Sequence, residues 1–295
     1  MTDFFSHTLQ CGRYRLIIDG PSFRPLVMGV LNVTPDSFSD GGRFASLDAA
    51  ITQAEQMIDA GVDIIDIGGE STRPGAPAVS VDEELRRIMP VIYALRDAGK
   101  PLSVDTRRTE VMREVIEAGA DMINDINGFR AEGSLSLLRD SDCALCIMHM
   151  QGEPQTMQQD PQYEDVFAEV REFLARQCEQ AIAAGISRQR LCIDPGFGFG
   201  KTLEHNLALL ARLGELQSAL GLPLLAGLSR KSMIGKLTGK PAPERTAGSV
   251  AAALFAVQQG TRIVRVHDVA ETVDALRVWQ AAASAARQAS AGICN

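Results

Sequence analysis

Eight short runs of branched apolar residues recur along this chain, separated by stretches whose apolar residues repeat at helical spacing. The runs are LVMGVLNV (26–33), VDIIDIG (62–68), PLSVDT (101–106), DMINDI (121–126), ALCIMH (144–149), RLCIDP (190–195), PLLAGLS (223–229) and TRIVRVH (261–267). Short, near-continuous apolar runs bounded by turn formers read as strands buried on both faces. The clearest helix between them is 166–182, where Val166, Phe167, Val170, Phe173, Leu174, Cys178, Ala181 and Ile182 form one stripe. Ser80 with Glu83, and Asp268 with Glu271, have capping-box spacing, and Gly61, Gly119, Gly185, Gly221 and Gly260 stand where helices should stop. Pro90 falls inside the 81–98 pattern and predicts a kink, since Val91, Ile92 and Leu95 keep the period beyond it.

Eight strands alternating with about eight helices, with no linker in 295 residues, predict an α/β chain folded as one (β/α)8 TIM barrel over 25–287. An open doubly wound sheet fits eight consecutive short strands less well. Residues 1–24 are then an N-terminal extension, expected to cap the lower mouth, and 288–295 a C-terminal tail.

Charge limits what such a barrel can bind. The net charge is −8, with no long Lys/Arg cluster, which argues against a nucleic-acid or membrane-surface partner. An anionic substrate would need local positive charge. The N-terminus lacks the pattern of a secretory leader, and no apolar run approaches the roughly 18 residues of a membrane span, so a cytoplasmic protein is expected. Six cysteines at 11, 143, 146, 178, 192 and 294 make no disulfide framework. Cys143 and Cys146 spell C-x-x-C across a strand and read as small buried hydrophobes rather than a redox pair.

Barrel enzymes carry their chemistry at the C-terminal ends of their strands. Here those ends are Asn32, Asp66, Asp105, Asn124 with Asp125, His149, Asp194, Ser229, and Arg265 with His267. Turn formation accounts for any one of them, and for Asp66 and Asp125 as well as a site does, but not for a polar ring of eight. Arg265 and His267 share parity with Ile263 and so form a two-pronged cationic clamp. Strand 8 of a closed barrel adjoins strand 1, which sets Asn32 beside the clamp; the trio suits a phosphate or pyrophosphate, with a divalent metal possible. Asp105, Asn124 and Asp194 match a flat heterocycle bearing several N–H donors and a carbonyl. In GLSRKSMIG, Ser229 is expected at a helix start, with Arg230 and Lys231 as positive charge beside it; solvated surface charge is the competing account of Arg230. GFGFGKT (196–202) imitates a Walker A loop but has Pro195 where the motif needs glycine, leaving a glycine-rich loop with Phe197 or Phe199 to line a planar ligand. NVTPDSFSDGG (32–42) is long for a connection, which favours a substrate-covering loop over a plain turn.

NVTPDSFSDGG, GGESTRPGA (68–76), SVDT (103–106), ND (124–125), IDPGFGFGKT (193–202), GLSRKSMIG (227–235) and RVHDV (265–269) occur in that order. Together they resemble dihydropteroate synthase over about residues 25–280. The resemblance implies a (β/α)8 transferase of folate biosynthesis, a sulfonamide target and homodimer. It joins 6-hydroxymethyl-7,8-dihydropterin pyrophosphate to p-aminobenzoate and releases pyrophosphate with Mg2+ present. It further implies a pterin site of Asp105, Asn124, Met148, Asp194, Phe199 and Lys231, and a pyrophosphate site of Asn32, Thr72, Arg73, Arg265 and His267, with Asn32 also on Mg2+. Pro35, Phe38, Thr72, Arg73, Ser229 and Arg230 are implied around p-aminobenzoate, and Asp105, Lys231, Arg265 and His267 in catalysis. On this reading 32–42 is a lid hinged at Gly41 and Gly42, and the substitution is dissociative. Two alternatives are a pterin-dependent methyltransferase domain, which should lack NVTPDSF and SRKS, and a silent pterin-binding paralogue, which should have lost Asp105, Lys231 or Arg265.

Overall fold

The computed structural model describes residues 8–20, 23–34, 42–71 and 75–292. It begins with an antiparallel hairpin of β1 (Thr8–Cys11) and β2 (Tyr14–Ile17). Eight parallel strands follow: β3 (Leu26–Asn32), β4 (Ile64–Gly68), β5 (Leu102–Asp105), β6 (Met122–Asp125), β7 (Ala144–Met148), β8 (Leu191–Asp194), β9 (Leu225–Ala226) and β10 (Ile263–Val266). They pair in the order β8-β7-β6-β5-β4-β3-β10-β9, and an isolated parallel bridge between Ile193 and Leu224 joins the two edges. The expected barrel is therefore formed, closed on its last seam by that bridge.

Ten helices cover it among the described residues: α1 (Gly42–Asp59), α2 (Val81–Leu95), α3 (Thr109–Glu117), α4 (Ser134–Arg139), α5 (Val166–Ala183), α6 (Leu203–Ala211), α7 (Leu213–Leu220), α8 (Ser232–Thr238), α9 (Thr246–Gln258) and α10 (Val269–Gly292). Two crossovers carry paired helices, α6 with α7 and α8 with α9, so the alternation is less strict than the sequence implied. Ser80 caps α2 by accepting from the Glu83 N–H, and that helix runs through Pro90 without ending. Asp165 caps α5 in the same way. Within the α5 stripe, Ile182 faces solvent instead of the core. α10 continues to Gly292, so the tail expected from 288 begins as helix.

Strand β9 is the main departure. The expected strand 223–229 pairs only at Leu224, through its single bridge to Ile193, and at Leu225 and Ala226. By Arg230 the chain has entered the left-handed region (φ 58°), and its N–H is given to Ser249 Oγ instead of a neighbouring strand.

Outward-facing strand residues such as Val27, Ile65, Val104, Ile123, Leu145 and Ile193 pack beneath the helices. Inside the lower barrel, Met28, Ile64, Met122, Cys146, Cys192, Leu225 and Ile263 form a second core, and the hairpin's Leu9 and Cys11 close it from below. Gly12 N–H donates to the Asp142 carbonyl, and Arg13 pairs with the buried Asp121, which anchors the hairpin under β6 and β7. The five described cysteines are free and buried, Cys143 and Cys146 included. Among the described residues the lower end of the barrel is thus packed.

Candidate active site

Register, set by the pleat and the barrel's stagger, builds the upper mouth. Asn32 pairs with Gly68, Gly68 with Asp105, and Asp105 with Asn124, so four adjoining strands form one row. Gly68 leaves that row open: a Cβ there would stand 3.7 Å from both Asn32 Oδ1 and the Asp105 Cβ. Across the barrel Met148 pairs with Asp194. Asp66, two residues below Gly68, is fully buried.

Arg265 ties this ring together. Its Nε donates to Asp66 Oδ2 at 2.6 Å and its Nη2 to Asp105 Oδ2 at 2.9 Å. Asn124 Nδ2 donates to the same Asp66 oxygen at 3.3 Å. Asp66 thus orients two of the expected site residues, a role that sequence reasoning left undecided; its parity with Ile64 was the available signal. Asp125 takes the other outcome, accepting from the Asn127 and Phe129 N–H groups at 2.7 Å each and holding the loop after β6.

Burial shapes the charges. It pushes the Asp105 carboxyl up to about 7 even though Arg265 pulls it down, and it raises Asp194 although the Gly196 N–H donates to it at 2.7 Å. Burial works against the Arg265 cation too, yet Asp66 and Asp105 raise its pKa overall. Lys231 is lowered to about 8 by burial and then by Arg265. Its Nζ lies 4.1 Å from the centre of the Phe199 ring. Phe199 sits in an apolar group with Ile126, Met148, Met150 and Met157, whereas Phe197 points into the core and lines nothing.

The expected two-pronged cationic clamp is a single cation. Burial and then Arg265 hold His267 down to about 3, so its imidazole is neutral at physiological pH. His267 lies just past the end of β10, with its backbone N–H donating to Ser229 Oγ at 3.2 Å and its ring Nδ1 3.1 Å from that oxygen. Nor does Ser229 start a helix: Lys231 precedes α8 directly and occupies the N-cap position. The Arg230 guanidinium is bound to the Asp268 carboxylate, which occupies the acid expected to cap α10 and removes Arg230 from the class of freely solvated charges. His149 is absent from the ring. It accepts through Nδ1 from the buried Lys201 Nζ at 2.9 Å and meets Phe173 edge-on.

Of the other expected site residues, Pro35, Phe38, Thr72 and Arg73, with the Gly41 hinge and most of the lid, lie outside the described residues. Asp66 Oδ1 and Asn124 Oδ1 are buried without a partner among the described residues. Unpaired buried polar atoms are rare in native proteins, and these two are acceptors that a ligand or a water can satisfy. The mouth can therefore receive a planar polar molecule over Phe199 and Met148, with a cation beside it.

Comparison with known proteins agrees. The family model described as pterin binding enzyme matches residues 28–267. The dihydropteroate synthase of Neisseria meningitidis serogroup B is 50% identical over 281 residues, 93% of this chain and 97% of that protein. The crystal structure of Burkholderia cenocepacia dihydropteroate synthase complexed with 7,8-dihydropteroate is 53% identical, with a TM-score of 0.86 over 95% of this chain and 98% of that one. The Yersinia pestis dihydropteroate synthase, solved as a sulfonamide drug complex, is 48% identical with a TM-score of 0.87 over 94% of this chain and 99% of that one.

Proposed function

From the premise that this chain belongs to the dihydropteroate synthases, within the pterin binding enzyme family, we propose that the ring at its upper barrel mouth carries that family's condensation. The reaction joins 6-hydroxymethyl-7,8-dihydropterin pyrophosphate to p-aminobenzoate, giving 7,8-dihydropteroate and pyrophosphate in folate biosynthesis. The carrying observation is buried Asn124 and Asp194 with half-buried Asp105 and Lys231 around the Phe199 and Met148 surface, with Asn124 Oδ1 unpaired among the described residues and Arg265 adjoining.

In this reading the pterin lies against Met148 and Phe199. Asp194 and Asn124 receive its N–H donors, and Lys231 donates to its carbonyl or ring nitrogen. Arg265 spends two N–H groups on Asp66 and Asp105, which leaves three of its five for pyrophosphate oxygens. His267 adds a neutral imidazole on the same side, and Asn32 an amide.

The C–O bond to pyrophosphate breaks with its electron pair leaving on the phosphate oxygen. The methylene cation that remains is conjugated with the pterin and stabilised by the Asp105 charge. The p-aminobenzoate nitrogen then forms the C–N bond and sheds its proton, so no side chain becomes covalently attached. Ser229, Arg230, Pro35, Phe38, Thr72 and Arg73 are proposed around p-aminobenzoate, and Thr72 and Arg73 also near pyrophosphate. The sulfonamide complex of the Yersinia relative supports the same inhibitor class here.

Mg2+ fits this set through shared ligation. No group of three His, Cys, Asp or Glu among the described residues could hold a metal. Asn32 Oδ1 would therefore be a protein ligand alongside substrate oxygens and water, the habit of this cation. When bound, Mg2+ supplies charge neutralisation to the leaving pyrophosphate.

No helix among the described residues is long and apolar enough to cross a membrane. The free cysteines support work in the cytoplasm. Exposed Leu207, Leu237 and Phe255, on the adjoining helices α6, α8 and α9, support a homodimer. The deciding experiment is pyrophosphate release from 6-hydroxymethyl-7,8-dihydropterin pyrophosphate and Mg2+, with and without p-aminobenzoate. Release with dihydropteroate formation is expected; pterin binding without release would turn the reading to a silent paralogue.

A further inference from the structure

We propose that Lys201 is a positioning residue for the pterin pocket, its buried ammonium tying the loop that carries Phe199 to the exit of the strand that carries Met148. This rests on the assignment of Met148, Asp194 and Phe199 to the pterin.

Lys201 is 3% exposed, and its Nζ lies 3.0 Å from the Gly196 carbonyl, 3.0 Å from the Phe199 carbonyl, 2.9 Å from His149 Nδ1 and 3.5 Å from the His149 carbonyl. An ammonium has three donors, and the three nearer acceptors take all of them. Burial and then Lys201 keep His149 neutral, and acceptance from the ammonium through Nδ1 puts the imidazole proton on Nε2. No carboxylate among the described residues reaches Lys201 within ion-pair distance, and burial lowers its pKa to about 7, so carbonyls and an imidazole hold the ammonium against that cost. A buried charge is costly, and an apolar residue of similar length would pack there more cheaply. The arrangement makes sense as a means of fixing backbone.

The loop needs such a fixture because it does not continue as a strand. Gly196 (φ 69°) and Gly200 (φ 60°) bring its backbone against residues 149–151: a Cβ would fall 1.9 Å from the His149 carbonyl oxygen and 2.4 Å from that of Gln151. Past the His149 N–H to Asp194 carbonyl bond at 3.0 Å, the two segments are bridged by the Lys201 ammonium. Its grip on the Phe199 carbonyl sets where that ring meets Lys231, and its grip on His149 sets the residue next to Met148. Lys201 itself does not touch the ligand.

The test uses Lys201→Met, His149→Leu and His149→Asn, with Asp194→Asn as a control on the pocket. The readouts are titration with 6-hydroxymethyl-7,8-dihydropterin pyrophosphate, KM for both substrates, kcat and thermal unfolding. Lys201→Met and His149→Leu should weaken pterin binding about tenfold while kcat and the p-aminobenzoate KM move less than about twofold. His149→Asn keeps an acceptor where Nδ1 stands and should bind nearly as the parent does. If Lys201→Met does not fold, the two His149 variants decide. Parent-like pterin affinity in Lys201→Met and His149→Leu, with Asp194→Asn impaired, overturns this proposal alone; so does an equal loss in kcat and both KM values. Parent-like binding by Asp194→Asn would remove the pocket assignment and the proposal with it.

Discussion

Replacing Asp105 with Asn isolates the charge that the proposed mechanism depends on. A carboxylate about 4 Å from a developing cation is worth ~4 kcal/mol at an effective dielectric constant near 20. At tenfold per 1.36 kcal/mol, losing it should slow turnover about a thousandfold. Asn keeps an oxygen that can accept from Arg265 Nη2, now 2.9 Å from Asp105 Oδ2. Pterin affinity should therefore fall less than about tenfold. Stability should move the other way. Burial raises the Asp105 pKa from 3.8 to about 7. The folded protein thus disfavours the ionised form, a penalty absent at low pH, growing as pH rises above the unfolded value and complete once pH passes the folded one. Asn carries no such penalty, so at pH 8 the variant should unfold in urea no earlier than the parent. Stopped assays of pyrophosphate release, pterin titrations and urea melts read the three quantities separately. Turnover within about tenfold of the parent would refute the electrostatic role, and a parallel fall of turnover and pterin affinity would reassign Asp105 to binding alone.

Arg265→Ala should weaken the pyrophosphate ester more than free 6-hydroxymethylpterin in calorimetric titrations, and equal losses would count against a pyrophosphate contact. Because it leaves Asp66 and Asp105 buried without their cation, it should also cost about 3–5 kcal/mol in urea unfolding. Lys231 is lowered to about 8 by burial and Arg265, and it binds as the ammonium, so pterin affinity should decline as pH rises through that value. That limb should vanish in Lys231→Met, and its persistence would assign it to another group. Gly196→Ala must place a Cβ on the His149 carbonyl at a positive φ, so a loss of at least about 4 kcal/mol in urea unfolding is expected; a parent-like melt would mean that the loop shifts freely.

The barrel was legible because both of its signals are local. Branched apolar runs mark strands, and Ser80 and the helix-stopping glycines mark helix ends whatever lies across the molecule. Position at strand ends singled out Asp105, Asn124 and Asp194 for the same reason, and parity put Arg265 on one face with His267. What parity cannot supply is stagger between strands, and stagger decides partners. The register that pairs Arg265 with Met28 sets its guanidinium low enough to reach Asp66 as well as Asp105. Protonation was illegible too: burial comes first in holding His267 down, and Arg265, Arg230 and Lys231, gathered from two separate segments, add to it. In GFGFGKT the motif comparison rightly rejected a phosphate loop and then passed over Lys201, whose role follows from a carbonyl cage that no linear pattern encodes.

The charges of the mouth bear on what the reaction needs from outside the chain. Among the described residues, Asp66, Asp105 and Asp194 face Arg265 and Lys231, and the neutral His267 adds nothing. Carboxylates are in excess, and two of them already share the one guanidinium. Such a mouth favours a cation at its centre and holds a free pyrophosphate poorly. Both tendencies assist bond breaking, since the methylene becomes positive as the departing group becomes fully anionic. Among the described residues the same imbalance leaves the pyrophosphate ester little positive charge beyond Arg265, so positive charge brought with it would favour binding. Under the proposed function a divalent cation carried on its oxygens and met by Asn32 would supply that charge at a mouth whose described residues include few lysines and arginines.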